Sequence, residues 1–320
     1  MSGHRATISP VPAGVQRPKW SVMIPTYNCA PFLAETLAGV LAQAAGSDKM
    51  QIEVVDDGST DDPEAVVRTV GKGRVGFFRQ PRNVGHIHNF ATCLERATGE
   101  LVHLLHGDDR VEPGFYEKLQ SGFDSDPRVG AAFCRHRFID EAGAELSVSA
   151  QEQGVAGPFH NAVERMAQEQ IVMTPSIAVR REVYEELGGF DDRLICSEDW
   201  EMWVRIAAVR PIWYEPEILA SYRMHGNSNT GRHYRLAQEL KYTRLAMDIF
   251  SEYLPAEKMG SIMSKARANY AATALANARR LAAVGDRRGM YAHLGAAVRF
   301  NGARSMIRAA RIALLPRKTA

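Results

Sequence analysis

The sequence predicts an α/β fold whose first half is a doubly wound parallel sheet, and three observations predict it. Short apolar strands alternate with helical patterns at roughly 25-residue spacing over the first third of the chain, as a parallel sheet with right-handed crossovers and helices on both faces requires. Two of those strands run into adjacent carboxylates, Asp56 with Asp57 and Asp108 with Asp109. After Phe115 the alternation becomes irregular, which predicts a mixed second half, and beyond Gly231 only helical patterns remain.

Residues 1–19 carry Pro10, Pro12 and Pro18 with Gly3 and Gly14 and no periodicity, so they read as a flexible leader. Trp20 opens an apolar strand stopped at Pro25, and Phe32, Leu33, Leu37, Val40 and Leu41 recur at helical spacing across 31–43. A second strand at 52–55 runs into D-D-G-S-T-D-D-P, where Ser59 or Thr60 is placed to cap a helix that Pro63 opens and that ends near Val70. A short strand at 74–79, the loop R-N-V-G-H-I-H-N and a helix at 89–97 stopped by Gly99 follow. Leu101, Val102, Leu104 and Leu105 then make a buried strand, and Gly107 lets the backbone turn where it stops. The second half reads as helices at 115–123, 161–168, 181–187 and 199–209, strands at 129–138, 173–179 and 212–222, and a polar loop at 140–158. The helical remainder is broken near Pro255 and Gly285.

At 320 residues, 45% hydrophobic and 24% charged, the chain has room for one large or two modest domains. Its net charge of +2 conceals an asymmetry, because the segment from Arg287 onward holds eight Lys or Arg and no acid, leaving about −6 for the rest by subtraction. Cys29, Cys93, Cys134 and Cys196 are widely spaced, which indicates neither a zinc site nor a disulfide framework and fits a reduced cytosol. The first 19 residues lack the apolar core of a signal peptide, and no run approaches about 18 uncharged apolar residues, so neither export nor a membrane span is expected.

The ordered motifs S-V-M-I-P-T-Y-N, V-V-D-D-G-S-T-D, N-V-G at 83–85, A-T-G-E at 97–100, G-D-D, S-E-D-W-E-M-W-V-R and Y-R-M-H-G-N-S together resemble the family 2 glycosyltransferases. The resemblance spans 20 to about 230, two thirds of the chain. It implies the GT-A fold, a doubly wound nucleotide-binding half joined to a mixed-sheet acceptor half, here with a helical extension over 231–320. It also implies inverting transfer of a sugar from a nucleoside diphosphate to a hydroxyl acceptor, in cell-surface polysaccharide or glycolipid synthesis.

Asp108 and Asp109 stand at a strand's carboxyl end, where open α/β sheets bind ligands, and hard oxygen donors there suit Mg²⁺ or Mn²⁺. An Asp-Asp pair alone is also an ordinary solvated turn. By the resemblance, Asp109 ligates the metal and Asp108 hydrogen-bonds the ribose or sugar, although His106 stands where the family often has another Asp. Pro25, Thr26 and Tyr27 lie at the first strand's carboxyl end, where an aromatic face and loop backbone hold a base. Asp57 is placed to accept the N–H of a uracil or thymine ring, or else to cap the following helix. Arg82, Asn83 and Gly85 form a loop suited to a diphosphate, whereas His86 and His88 read as surface histidines. Asp199 opens a helix whose dipole favours carboxylates in any case; by the resemblance it is the catalytic base. Arg205 and Arg223 read as structural ion pairs, and the resemblance places His225 near the metal or diphosphate.

These assignments make UDP or dTDP the favoured carrier, a saccharide or lipid-linked saccharide the acceptor, and nucleic acid no partner. Two other readings compete. A nucleotidyltransferase shares the fold class but wants a Gly-rich phosphate loop with a basic residue after the first strand, where this chain has P-T-Y-N-C-A-P. A non-catalytic sugar-binding relative has no need of both Asp109 and Asp199. Finally, Met306, Ile307, Ala310 and Leu314 share one helical face with Arg304, Arg308 and Arg311 beside it. That pattern suits an anionic membrane surface, hence a cytoplasmic protein, peripheral at the inner membrane.

Overall fold

β1 (Trp20–Thr26) has all seven residues buried, the mark of a strand covered on both faces, and the sheet grows from it in both directions. The computed structural model describes residues 3–226 and 233–313. β2 (Met50–Asp56) and β4 (Leu101–Leu104) pair with β1 in parallel on either side, and β3 (Gly76–Arg79) adds outside β2. The full order is β3-β2-β1-β4-β9-β6-β10-β5, where β5 is Arg110–Val111, β6 Ala131–Ile139, β9 Ile177–Arg180 and β10 Ile212–Arg223. β9 is antiparallel to both β4 and β6, and β10 is parallel to β6, which makes the second half mixed as expected. The chain therefore leaves β1 toward β3 and returns to β4, so the order reverses between β1 and β4.

The helices are α1 (Ala30–Leu41), α2 (Pro63–Gly71), α3 (His86–Arg96), α4 (Phe115–Ser125), α5 (Ala162–Gln168), α6 (Arg181–Leu187), α7 (Glu198–Ala207), α8 (Gln238–Phe250), α9 (Ala256–Ala283) and α10 (Arg287–Ala313). Leu33, Leu37 and Val40 of α1 and Phe115, Leu119 and Phe123 of α4 are buried in one core with Val22, Ile24, Ile52 and Val54 of the sheet. Two compact units result, one made of Met1–Ala162, Ile171–Arg193 and Val209–Met224, the other of Val163–Gln170, Leu194–Ala208 and His225–Ala320. Among the described residues no helix is long and apolar enough to cross a membrane.

Several expectations are corrected. α3 starts three residues before the expected Asn89, because Gly85 takes φ +86° and the turn at 84–85 is fixed from outside the helix. Asp62, rather than Ser59 or Thr60, caps α2, its carboxylate accepting the Ala65 N–H at 3.2 Å. The polar stretch 140–158 contains β7 (Glu145–Val148) on β6 and β8 (Gly157–Pro158) on β10. The leader is not flexible throughout. Ile8 is 1% exposed, Arg5 bridges to Asp191, and the Ala6 and Ser9 carbonyls accept from Gly189 N and an Arg181 guanidinium. α7 falls in the same compact unit as the C-terminal helices.

Glycine is required at 107 by close approach: a Cβ there falls 2.6 Å from Thr26 Oγ1 and 2.8 Å from Cys29 Sγ, nearer than atoms pack. Gly107→Ala is expected to cost about 1–3 kcal/mol in urea denaturation, the usual size of overpacking. Gly260→Ala, in α9 with nothing within 4 Å of the added methyl, is expected to be neutral or stabilising. Equal effects of the two contradict the packing account.

Candidate active site

Where β1 and β4 end, the chain is stitched together by its backbone. Leu105 N donates to Met23 O at 3.0 Å, Gly107 N to Pro25 O at 3.1 Å, and Asp57 N to Thr26 O at 2.8 Å. Three strand ends thus deliver their loops to one edge, at the point where the strand order reverses. That crevice is where open α/β sheets bind ligands. Pro25 and Thr26 are buried, so they shape the edge through backbone, whereas Tyr27 is 43% exposed and offers a free aromatic face there.

The acidic loop after β2 is fastened to the loop after β1. Asn28 N donates to Ser59 Oγ at 2.9 Å, Asn28 Oδ1 accepts Thr60 N at 2.9 Å, and Asp61 accepts Ala30 N at 2.8 Å. Asp56 is fully buried and accepts from Arg79 Nε at 2.6 Å as well as from Ser59. Asp57, 3% exposed, accepts Val84 N at 2.7 Å and Gly85 N at 3.0 Å, one on each oxygen. It does not cap α2, and it sets the loop before α3 that carries the exposed Arg82 and Asn83. Burial pushes its carboxyl above the usual range, opposed by those two N–H groups.

His106, Asp108 and Asp109 present one ligand atom each within 4.8 Å of one another. The turn bond from Asp109 N to His106 O, 3.1 Å, brings the histidine round beside the carboxylate. His106 lies flat on Phe90, centroids 5.4 Å apart, with Nδ1 3.4 Å from Asp109 Oδ2. Asp109 is 1% exposed; its Oδ1 accepts Arg223 N at 2.8 Å, while the buried Oδ2 receives no hydrogen bond among the described residues. Burial, with Asp108 adding to it and His106 opposing, raises its carboxyl to about 6. Two clustered carboxylates, one of them buried with an unbonded oxygen, fit a divalent cation.

Arg223 is structural, as expected. Its guanidinium donates to the carbonyls of Asp108 (2.8 Å), Asp140 (3.2 Å) and Glu141 (2.9 Å) and to Glu35 (2.6 Å), and lies over the Phe32 ring. It clamps the Asp108 backbone from β10, a role no motif announces. His103, on β4 three residues before His106, is a core residue with both ring nitrogens engaged, by Tyr116 OH and Pro175 O.

In the second unit, Asp199 is half-buried on the first turn of α7. Gln170 Nε2 donates to its Oδ2 at 2.8 Å, and Oδ1 accepts Trp200 N at 2.7 Å. The backbone N–H of Gln170 donates to Tyr270 OH at 3.3 Å, so the residue that aims the carboxylate is itself held. Arg205 pairs bidentately with Glu201 at 3.0 Å in a buried setting. His225 is half-buried and lies in this unit.

Residues 21–188 match the model of glycosyl transferase family 2. The chain belongs to that family. An uncharacterised protein of Mycobacterium tuberculosis is 28% identical over 230 residues, covering 68% of this chain and 70% of that protein. Chondroitin synthase of Escherichia coli is 24% identical, covering 67% of this chain and 30% of that larger protein. Among solved structures, the fold is similar to S. aureus TarS 1–349 in complex with UDP-GlcNAc (TM-score 0.69, 17% identity, 92% of this chain and 88% of that one). It is also similar to the mannosyltransferase PcManGT of Pyrobaculum calidifontis with GDP-Man and Mn²⁺ (TM-score 0.54, 22% identity, 96% and 90%). The structural likenesses establish the GT-A architecture.

The raised carboxyl of Asp109 sets a pH dependence. Because the folded state holds this proton more tightly than the unfolded one, metal-free stability falls as pH rises from about 4 to about 6, then levels off. Asp109→Asn is expected to flatten that slope and leave the metal-free protein at least as stable as wild type at pH 8, by melting temperature. A variant less stable at every pH contradicts the assignment of burial as the cause.

Proposed function

We propose that the protein is an inverting glycosyltransferase that moves a sugar from a nucleoside diphosphate, UDP or dTDP, to a hydroxyl of a saccharide or lipid-linked saccharide in cell-surface polysaccharide or glycolipid synthesis. The observation that carries the proposal is the acidic cluster at the sheet's switch point, with Asp109 buried and Asp108 and His106 half-buried. In this reading Tyr27 stacks on the base, with Pro25 and Thr26 shaping the loop beneath. Asp57 keeps a lone pair on each oxygen for the base N–H. Asn83 faces the diphosphate and Asp108 holds the ribose or sugar. Asp109 ligates Mg²⁺ or Mn²⁺, with His106 beside it and His225 as a further ligand. An imidazole in the set favours Mn²⁺, because Mg²⁺ takes oxygen donors. A bound cation neutralises charge on the departing diphosphate and so replaces protonation of the leaving group.

Asp199, aimed by Gln170, takes the proton of the attacking hydroxyl as the new bond forms at the anomeric carbon and the bond to phosphate breaks. Asp199→Asn preserves shape and is expected to lower kcat by roughly 10² to 10⁴ with donor affinity unchanged. Joint loss of donor binding and turnover points instead to a structural role. Retained anomeric configuration, read by NMR of the product, sinks the single displacement.

We also propose contact with an anionic membrane surface at the cytoplasmic face. α10 kinks at Asn301 and Gly302. Beyond the kink Ser305, Ala309 and Ile312 are buried, while Met306 and Ile307 are 57% and 65% exposed among exposed Arg304, Arg308 and Arg311. Leu314, Arg317 and Lys318 lie outside the described residues. Each basic residue near such a surface contributes about 1 kcal/mol. Replacing Met306 and Ile307 by Asp is expected to abolish sedimentation with anionic liposomes at low salt and spare transfer to a soluble acceptor. Wild-type protein that ignores such liposomes refutes the contact.

A further inference from the structure

Within the second unit, α8 and α10 line a cleft of about 470 Å³, which shares lining residues with a smaller one of about 220 Å³ that α9 also borders. Arg244, Asp248, Arg299 and Phe300 line both, and Arg267 joins them from α9. The floor is apolar, formed by Leu240, Met247 and Phe300, which are 4%, 2% and 5% exposed. Arg244, Arg267 and Arg299 form no ion pair or hydrogen bond among the described residues, although other arginines of this unit are matched, Arg205 with Glu201 and Arg235 with Asp286. With Lys241 at the rim, four cations face the single carboxylate of Asp248.

We propose that this cleft binds an anionic amphiphile, a phosphate or diphosphate ester carried on an apolar chain, and that it seats the carrier of the acceptor. The second half of that statement rests on the proposed function; the first does not. Unpaired guanidinium forks match phosphate oxygens bidentately and are weakly hydrated, so little is lost in engaging them. The apolar floor takes the chain and excludes a bare sugar, which offers neither charge nor apolar length. A nucleotide is a poorer match, because Phe300, the one aromatic ring of the lining, is buried and already stacked on Tyr270 at 5.8 Å. Tyr270 in turn meets Trp200 in a tilted contact at 5.0 Å, so the floor packs into the residues that support α7 and Asp199. The chain's own segment 314–320 carries Arg317 and Lys318 and no acid, the wrong charge to fill the cleft.

The test uses the full chain and titration calorimetry with farnesyl diphosphate, inorganic pyrophosphate and UDP in separate arms. Farnesyl diphosphate is expected to bind at least about tenfold tighter than pyrophosphate, and the double substitution Arg244→Ala, Arg299→Ala to weaken it at least about tenfold. Asp248→Asn is expected to tighten it, and UDP affinity to be the same in every variant. These side chains are exposed, so the fold survives, and matched melting temperatures verify it. Displacement of farnesyl diphosphate by UDP places it in the donor site and overturns the proposal. So does binding that both substitutions leave unchanged. Pyrophosphate binding as tightly as farnesyl diphosphate overturns the amphiphile. Farnesyl diphosphate behaving as expected in a protein that binds no UDP keeps the cleft and refutes the proposed function instead.

Discussion

Everything at the sheet's switch point depends on keeping one carboxylate in a place that disfavours its charge. Asp109 is buried beside Asp108, and the surroundings answer with a single backbone N–H from Arg223 and the edge of His106. A buried charge without full hydrogen bonding is costly. The fold nevertheless holds the residue rigidly, because Thr36 Oγ1 donates to the carbonyls of both Gly107 and Asp109 at 3.1 and 2.8 Å. Arg223 grips the Asp108 carbonyl from the other side. A backbone fixed this firmly around an under-satisfied carboxylate is the arrangement a cation site needs: ligands already placed, with their mutual repulsion relieved on binding.

The same logic orders the neighbouring loops. Asp56 and Asp57 are adjacent in sequence and do different work, the first tying its own turn and β3 through Arg79, the second reaching across to the turn before α3. Since Asn28 also binds Ser59 and Thr60 of the β2 loop, the β1, β2 and β3 loops are tied to one another. Tyr27 projects from it into solvent, so its ring is held by its backbone while one face stays available.

Much of this was legible in the sequence. The alternation of strands and helices, the carboxyl-end carboxylates and the breaks at Pro255 and Gly285 are local patterns, and the elements fall where those patterns put them. Long-range partnerships were not legible. His106 looked like a departure from an acidic motif, yet the turn that Gly107 permits folds it back onto Asp109. Helical spacing within H-G-D-D, three residues from His106 to Asp109, was the available signal. Asp57's partners lie 27 and 28 residues away, and Gln170 reaches Asp199 across 29, separations that no window of local periodicity spans. The leader read as flexible because its prolines remove local structure, whereas its order comes from Ile8 and Arg5 docking on residues far along the chain. Likewise α7 lies within the mixed-sheet half in sequence, ahead of β10, but packs with the C-terminal helices through Trp200 and Phe250, 4.8 Å apart.

The central claim is that the cluster of His106, Asp108 and Asp109 binds a divalent cation together with a nucleoside diphosphate. Its most direct test is the thermal stability of the full chain titrated with UDP, in the presence and absence of Mn²⁺. At 100 times its dissociation constant a ligand adds about 2.7 kcal/mol. The account predicts stabilisation of that order with UDP and Mn²⁺ together, most of it lost on chelation. Equal stabilisation with and without the metal, or none with either, contradicts it.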